Sequence, residues 1–244
     1  VEKMHGLDLF SGIGGISFAL QDWIEPVAFC EIEKYCQAVL LSRMHNGELA
    51  KAPIWDNITT LQGSFLPKID IIYGGFPCQD ISIAGLGKGL EGQRSGLFFE
   101  IVRLAKEIKP KFIFLENVPA ITSRGGLQVI KEIASLGYDC RWCIISAQSV
   151  GAMHKRERWF LLANSTSKSS DGYTIGEEET HSLSSYSSLN WPFESREHWQ
   201  KTVSEMGKCS DGLPYHVDRL RALGNSVVPQ QVKQAFKILI GKKD

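Results

Sequence analysis

The chain has 244 residues and is 43% hydrophobic, enough for one good core and compatible with one large domain or two small ones. Lysine plus arginine equals aspartate plus glutamate at 27 each, which counts against a non-specific nucleic-acid coat protein and leaves any polyanion contact to a local patch. No run of about 18 apolar residues occurs and the N-terminus lacks a basic-then-apolar leader, so a soluble, cytoplasmic protein is expected.

In chain order, the apolar run 7–10 reads as a strand. It leads into Gly12, Gly14 and Gly15, which permit a tight turn and close approach of a ligand before a helix-like stretch at 16–23. A second strand at 27–30 stops on Glu31, where a carboxylate can accept hydrogen bonds from both hydroxyls of a ribose, and a helix is expected at 34–44. The segment Trp55-Asp56-Asn57-Ile58-Thr59 comes before a third apolar run at 69–73, which ends in Gly74-Gly75-Phe76-Pro77-Cys78-Gln79. Glycines at 85, 87, 89, 92 and 96 are too many for a regular element, and such a segment can swing. After a helix at 97–108, the run 112–115 stops on Glu116-Asn117-Val118, and a further helix is expected at 127–136. The runs 140–145 and 159–163 are joined without room for a crossover helix, so they should pair antiparallel. Alternation of this kind predicts a mostly parallel sheet with helices on both faces.

Residues 164–190 are serine-rich and without period, which reads as loop or partly disordered chain. Helical spacing returns within 226–240 at Val228, Val232, Ala235, Phe236 and Leu239. Of the six cysteines, Cys140 and Cys143 form a CxxC pattern, but residues three apart on a strand point to opposite faces and no second pair completes a zinc site. They read as buried structural cysteines, and no metal is expected. Basic clusters at Lys155, Arg156 and Arg158 and at Arg219 with Arg221 are the candidate DNA patches, with solvated surface charge the equal alternative for Lys155 and the second cluster.

Two strands therefore end on reactive groups. Ligands bind at the carboxyl ends of strands in open α/β sheets, so the Cys78 thiol and the Glu116 carboxyl can meet over one cleft. The glycine turn alone would leave a dinucleotide oxidoreductase open, but that reading gives no reason for Cys78 and Glu116 to end neighbouring strands. These two motifs join Asp8-Leu9-Phe10-Ser11-Gly12-Ile13-Gly14-Gly15, Arg156-Glu157-Arg158 and Leu223-Gly224-Asn225-Ser226-Val227-Val228-Pro229. In that order, and over most of its length, the chain resembles the DNA (cytosine-5) methyltransferases of bacteria and phages.

The resemblance implies an α/β fold: a Rossmann-like S-adenosylmethionine-dependent methyltransferase sheet of seven strands with one antiparallel strand, plus a small target-recognition region. The catalytic domain would comprise 1–163 and 218–244, with a short recognition region at 164–217. It implies DNA (cytosine-5-)-methyltransferase activity on a flipped cytosine in a specific duplex site. Cys78 would add at carbon 6, Glu116 would supply the acid at N3, and Arg158 and Arg156 would hold cytosine O2 or the thiol and a nearby phosphate. S-adenosyl-L-methionine would lie against Phe10, Gly12, Gly14, Gly15, Glu31, Asp56, Asn57, Ile58, Pro77, Asn225 and Ser226. Ser82 and Arg94 match positions that touch DNA or lock the closed loop in the family, and Lys155 of the basic cluster is a further candidate DNA contact.

Two positions depart from the family pattern. Asn57 stands where an aspartate should accept the adenine amino group, with Asp56 one place early, so which of the two makes that contact is open. His154 replaces a glutamine, and a structural histidine is as good a reading. With the short recognition region, these departures motivate the alternative of a degenerate, DNA-binding but non-catalytic relative. Double-stranded DNA is the expected partner of a monomer with no membrane association, and a cognate restriction endonuclease would be a functional partner. The start at Val1 without a methionine permits a trimmed or partial product.

Overall fold

The computed structural model of the chain describes residues 2–77, 96–166 and 216–241. They form a seven-stranded sheet in the order β3-β2-β1-β4-β5-β7-β6. The strands are β1 (Met4–Leu9), β2 (Ile24–Cys30), β3 (Ile54–Trp55), β4 (Ile71–Gly75), β5 (Phe112–Asn117), β6 (Tyr138–Ser146) and β7 (Glu157–Ser165). β1 to β5 pair parallel, whereas β7 runs antiparallel to both β5 and β6. The antiparallel pairing of β6 with β7 is what their short connection predicts, and a seven-stranded sheet with one reversed strand is what the resemblance implies.

The helices are α1 (Gly15–Ala19), α2 (Lys34–His45), α3 (Leu97–Ile108), α4 (Ile121–Arg124), α5 (Gly126–Ala134), α6 (His216–Asn225) and α7 (Pro229–Ile240). Because side chains alternate across a strand, each central strand feeds two cores. Ile72, Ile113, Leu115 and Leu161 join one core with α3 and α5; Ile71, Tyr73, Phe114 and Phe160 join the other with α1 and α7. Cys140 packs against the first core and Cys143 against the second, so the CxxC residues do lie on opposite faces. Both are free thiols, and burial pushes them up to about 11 and about 12.

α7 brings the end of the chain back onto the sheet: Pro229 starts it, where a missing N–H costs nothing, and Val232, Ala235, Phe236 and Leu239 are buried on one face. Three elements escaped the sequence pattern, among them the four-residue α4. β3 is only two residues long, too short for alternation to register, and α6 has a mostly exposed face. α1 is shorter than expected, since the carbonyl of Trp23 accepts the Met4 N–H at 2.9 Å and the chain must leave the helix to enter β2. The expected recognition region lies almost wholly outside the described residues. Among those described, no helix is long and apolar enough to cross a membrane, and no cluster of three metal-ligating side chains occurs.

Candidate active site

The carboxyl ends of β1, β2, β4 and β5 open on a cavity of about 480 Å³, within the range of small-molecule sites. At its floor β1 hands over to Phe10, a bulky residue in the left-handed region (φ 53°), followed by Gly12 at φ 52°. Such a conformation at a non-glycine residue costs about 1–3 kcal/mol and persists where the surroundings over-determine it. Here Ser11 supplies that fixing, its N–H donating to the Cys30 carbonyl at 3.2 Å and its hydroxyl to the Asp8 carbonyl at 2.8 Å.

The turn presents its amide to Glu31. Gly12 N donates to Glu31 Oε2 at 2.6 Å and Glu33 N to Oε1 at 2.8 Å. A carboxylate has about four acceptor sites, so two remain for a pair of hydroxyls. Gly12 and Gly15 line the cavity. Gly14 is not among the lining residues, and its lack of a side chain serves packing, since a methyl there would lie 2.6 Å from Leu49 Cδ1.

Asp56, Asn57 and Ile58 also line the cavity. The Asn57 amide oxygen accepts the Thr59 N–H at 3.0 Å and the Thr59 hydroxyl at 2.8 Å, which commits it locally. Asp56 is exposed at the cavity wall. Arg103 on α3 holds this loop from behind, donating through Nη2 to the carbonyls of Ile58 and Leu61 at 2.9 and 2.8 Å.

Across the cavity, β4 and β5 set Gly75 opposite Glu116. A methyl on Gly75 would lie 2.5 Å from Glu116 Oε2, so this glycine makes room for the carboxyl group, while one on Gly74 would collide with the Leu9 carbonyl of β1. Glu116 is 8% exposed and pairs with Arg158 Nε at 2.8 Å. Burial pushes its pKa up to about 7, and the guanidinium groups of Arg158 and then Arg156 hold it from rising further. Asn117 donates from Nδ2 to the Phe76 carbonyl at 2.9 Å and accepts the Val118 N–H at 2.8 Å, pinning the end of β4 to that of β5. The chain then passes through Pro77, which lines the cavity, to Cys78. Cys78, Ser82 and Arg94 lie outside the described residues.

α6 and the turn after it supply the remaining wall, with Asn225, Ser226 and Val227 lining the cavity. Arg221 reaches over to Glu33 at 3.1 Å. Of the basic cluster, Arg158 faces the cavity and only Lys155 is turned to solvent, 3.9 Å from Glu157. Arg156 donates to the carbonyls of Gly224 and Ser226 and is not a lining residue. His154 is held below its ordinary pKa by burial and by the charges of Arg156 and Arg158.

Several contributors were not singled out from sequence. Ile32 is 68% exposed on the cavity beside Glu31. Asp8, an acid inside an apolar strand, is buried and accepts a hydrogen bond from Ser17, which in turn lies 2.8 Å from the Tyr73 hydroxyl. Burial pushes Asp8 up to about 7. The signal for Asp8 was present in the string Asp8-Leu9-Phe10; for Arg103 and Asn117 the partners are backbone carbonyls that no residue pattern marks.

Comparison with known proteins adds the following. A family model described as C-5 cytosine-specific DNA methylase matches residues 4–212. The Type II methyltransferase M.CviJI of Paramecium bursaria Chlorella virus IL3A is 35% identical over 234 residues, 94% of this chain and 58% of that protein. The Type II methyltransferase M.HhaI of Haemophilus parahaemolyticus is 37% identical over 161 residues, 64% of this chain and 47% of that protein. The chain thus spans about half the length of the curated relatives it matches. Among solved structures, the Entamoeba histolytica methyltransferase EhMeth superposes with a TM-score of 0.65 at 15% identity, covering 98% of both chains. Spodoptera frugiperda DNMT2 does so at 0.55 and 20%, covering 79% of this chain and 53% of that one. At these identities the structural likeness is one of fold.

Proposed function

The chain belongs to the C-5 cytosine-specific DNA methylase family, and from that membership we propose that it transfers a methyl group from S-adenosyl-L-methionine to carbon 5 of a cytosine flipped out of a specific duplex DNA site. The observation that carries this reading is Glu116: a buried carboxyl group, pushed by burial to a pKa of about 7 and braced by Arg158, which the β4–β5 pairing sets beside the strand end that leads to Pro77, ahead of Cys78 in the sequence.

Carbon 5 of cytosine is a poor nucleophile and a base inside a duplex is out of reach, so the reaction needs extrusion and activation. The Cys78 thiolate adds at carbon 6, and the displaced electron pair passes through the ring toward N3. Glu116 in its acid form donates a hydrogen bond at N3 and so stabilises that charge, while Arg158 holds the acid in place beside cytosine O2. When bound, S-adenosyl-L-methionine would supply an electrophilic methyl group to carbon 5, its sulfonium leaving as the thioether of S-adenosylhomocysteine. Loss of the carbon 5 proton then restores the double bond and expels the Cys78 sulfur.

The cavity fits the cofactor by its donor set. Glu31 keeps two acceptor sites for ribose hydroxyls, Gly12 leaves the turn open, and Ile32 offers an apolar surface for the adenine ring. Since Asn57 spends its oxygen on Thr59, Asp56 is assigned the adenine amino group. Ser82, Arg94 and Lys155 are assigned to DNA and 164–217 to target recognition. A monomer working beside a cognate restriction endonuclease in the cytoplasm completes the proposal.

The test is incorporation of label from S-adenosylmethionine into mixed-sequence duplex DNA. Wild-type protein should label DNA, and Cys78→Ala should reduce transfer by three orders of magnitude or more, on the order of a lost nucleophile. DNA binding without transfer by the wild type would instead establish the degenerate relative, and labelled product would identify the target site.

A further inference from the structure

Arg156 comes just before β7 and Arg158 lies within it, and the two guanidinium groups serve different walls. Arg158 reaches Glu116. Arg156 turns the other way, and its Nη2 donates to Gly224 O at 2.8 Å and Ser226 O at 2.6 Å. Those carbonyls flank Asn225 at the end of α6, in the turn whose Asn225, Ser226 and Val227 line the cavity. The peptide of Arg156 is gripped from the same C-terminal segment: its carbonyl accepts Gln231 Nε2 at 2.8 Å, and that nitrogen also donates to the Ile145 carbonyl. Gln231 is fully buried, and its Oε1 has no hydrogen-bond partner among the described residues. A buried amide oxygen left unpaired is costly, so a side chain kept there answers to its donor end.

We infer that Arg156, clasped by Gln231, is a positioning residue for the cofactor rather than a contact to the target base: it fixes the 224–226 turn as the C-terminal wall of the cavity. The inference rests on the reading of this cavity as an S-adenosylmethionine site. Three features select Arg for the task. One nitrogen bonds two carbonyls two residues apart, charge strengthens both bonds, and the planar fork holds the turn in one orientation. The charge also reaches Glu116, whose acidity Arg156 affects after Arg158. The wall that encloses the cofactor and the acid that engages the base are thereby joined through one side chain.

The test measures binding and turnover separately. S-adenosylhomocysteine is titrated calorimetrically into wild type, Arg156→Met, Arg156→Gln and Arg158→Met, each checked by its melting temperature. Loss of charge-assisted bonds predicts about tenfold or more weaker binding in both Arg156 variants, the glutamine being too short to span to the turn, and a raised KM for the cofactor with kcat changed little. Arg158→Met should show the reverse split, near-native affinity with reduced kcat. Hydrogen exchange on the wild type needs no substitution: S-adenosylhomocysteine should slow exchange of the amides at 223–227. Near-native affinity with lost transfer in folded Arg156 variants, or no change in exchange, overturns the inference. A wild type that binds no S-adenosylhomocysteine overturns the cofactor reading itself.

Discussion

Two glutamates face each other across the cavity, Glu31 just past β2 and Glu116 within β5, and they are almost equally buried at 7% and 8% exposure. Their partners differ. Glu31 is fixed by two backbone N–H groups, that of Gly12 in the turn and that of Glu33 just ahead of α2, and neither can be rotated away. Glu116 is held by one arginine side chain, and its pKa is pushed up to about 7. A carboxylate held by backbone donors is a fixed acceptor for hydroxyl groups, whereas one held at a pKa near neutrality can present a proton as readily as a charge. The same residue type thus serves recognition at one strand end and acid chemistry at another.

The contrast breaks most severely at Glu116. Glu116→Gln keeps the shape and removes the acid, and transfer should fall by about 10²–10⁴-fold while S-adenosylhomocysteine affinity stays near native. Gly75→Ala is the subtler version, because the new methyl group would lie 2.5 Å from Glu116 Oε2 and push the side-chain carboxyl rather than the backbone. Transfer should drop on the order of tenfold to a hundredfold with the fold retained, a loss consistent with a misplaced reacting group. Gly74→Ala supplies the control, since its methyl group meets the Leu9 carbonyl and melting temperature should fall instead. On the recognition side, Glu31→Gln sets an amide NH₂ against one of the two N–H groups. Cofactor affinity should weaken by roughly tenfold to a hundredfold, the size of a lost charge-assisted hydrogen bond, with single-turnover transfer at saturating cofactor largely kept.

These two glutamates were legible in the sequence for a physical reason: each follows an apolar run, and a strand's carboxyl end is where an α/β sheet exposes a side chain to a ligand. The resemblance placed Pro77 on the cavity, and the short connection between the last two apolar runs foretold the antiparallel pairing of β6 with β7. What escaped was where Arg103, Asn117 and Arg156 spend their hydrogen bonds, on backbone carbonyls brought close by folding. Arg156 reads as half of an Arg-x-Arg pair, yet it bonds carbonyls 68 and 70 residues away. Asn57 looked like a substitute for aspartate until its oxygen proved committed to Thr59. Side-chain type signals chemistry, but the direction in which it is spent depends on tertiary neighbours. The two-residue β3 was lost for a simpler reason, as periodicity needs length.

The smallest effect, and the one that probes Glu116 without altering the site, is pH. The folded state raises the Glu116 pKa from 4.5 to about 7, so folding favours its protonated form. Stability from this group is therefore fully present below about 4.5 and is lost as pH rises through about 7, and buried Asp8, raised from 3.8 to about 7, acts with the same sign. Catalysis should follow the same proton. With an acid of pKa about 7, the protonated fraction falls about fivefold between about pH 7 and about pH 8, and single-turnover transfer at saturating cofactor should lose that factor on its alkaline side. Glu116→Gln should abolish this limb, leaving a slower rate that no longer declines there. Persistence of the limb in Glu116→Gln would move the titrating proton to another group, and Asp8→Asn, measured alongside, would show whether that group is the acid buried beneath the glycine turn.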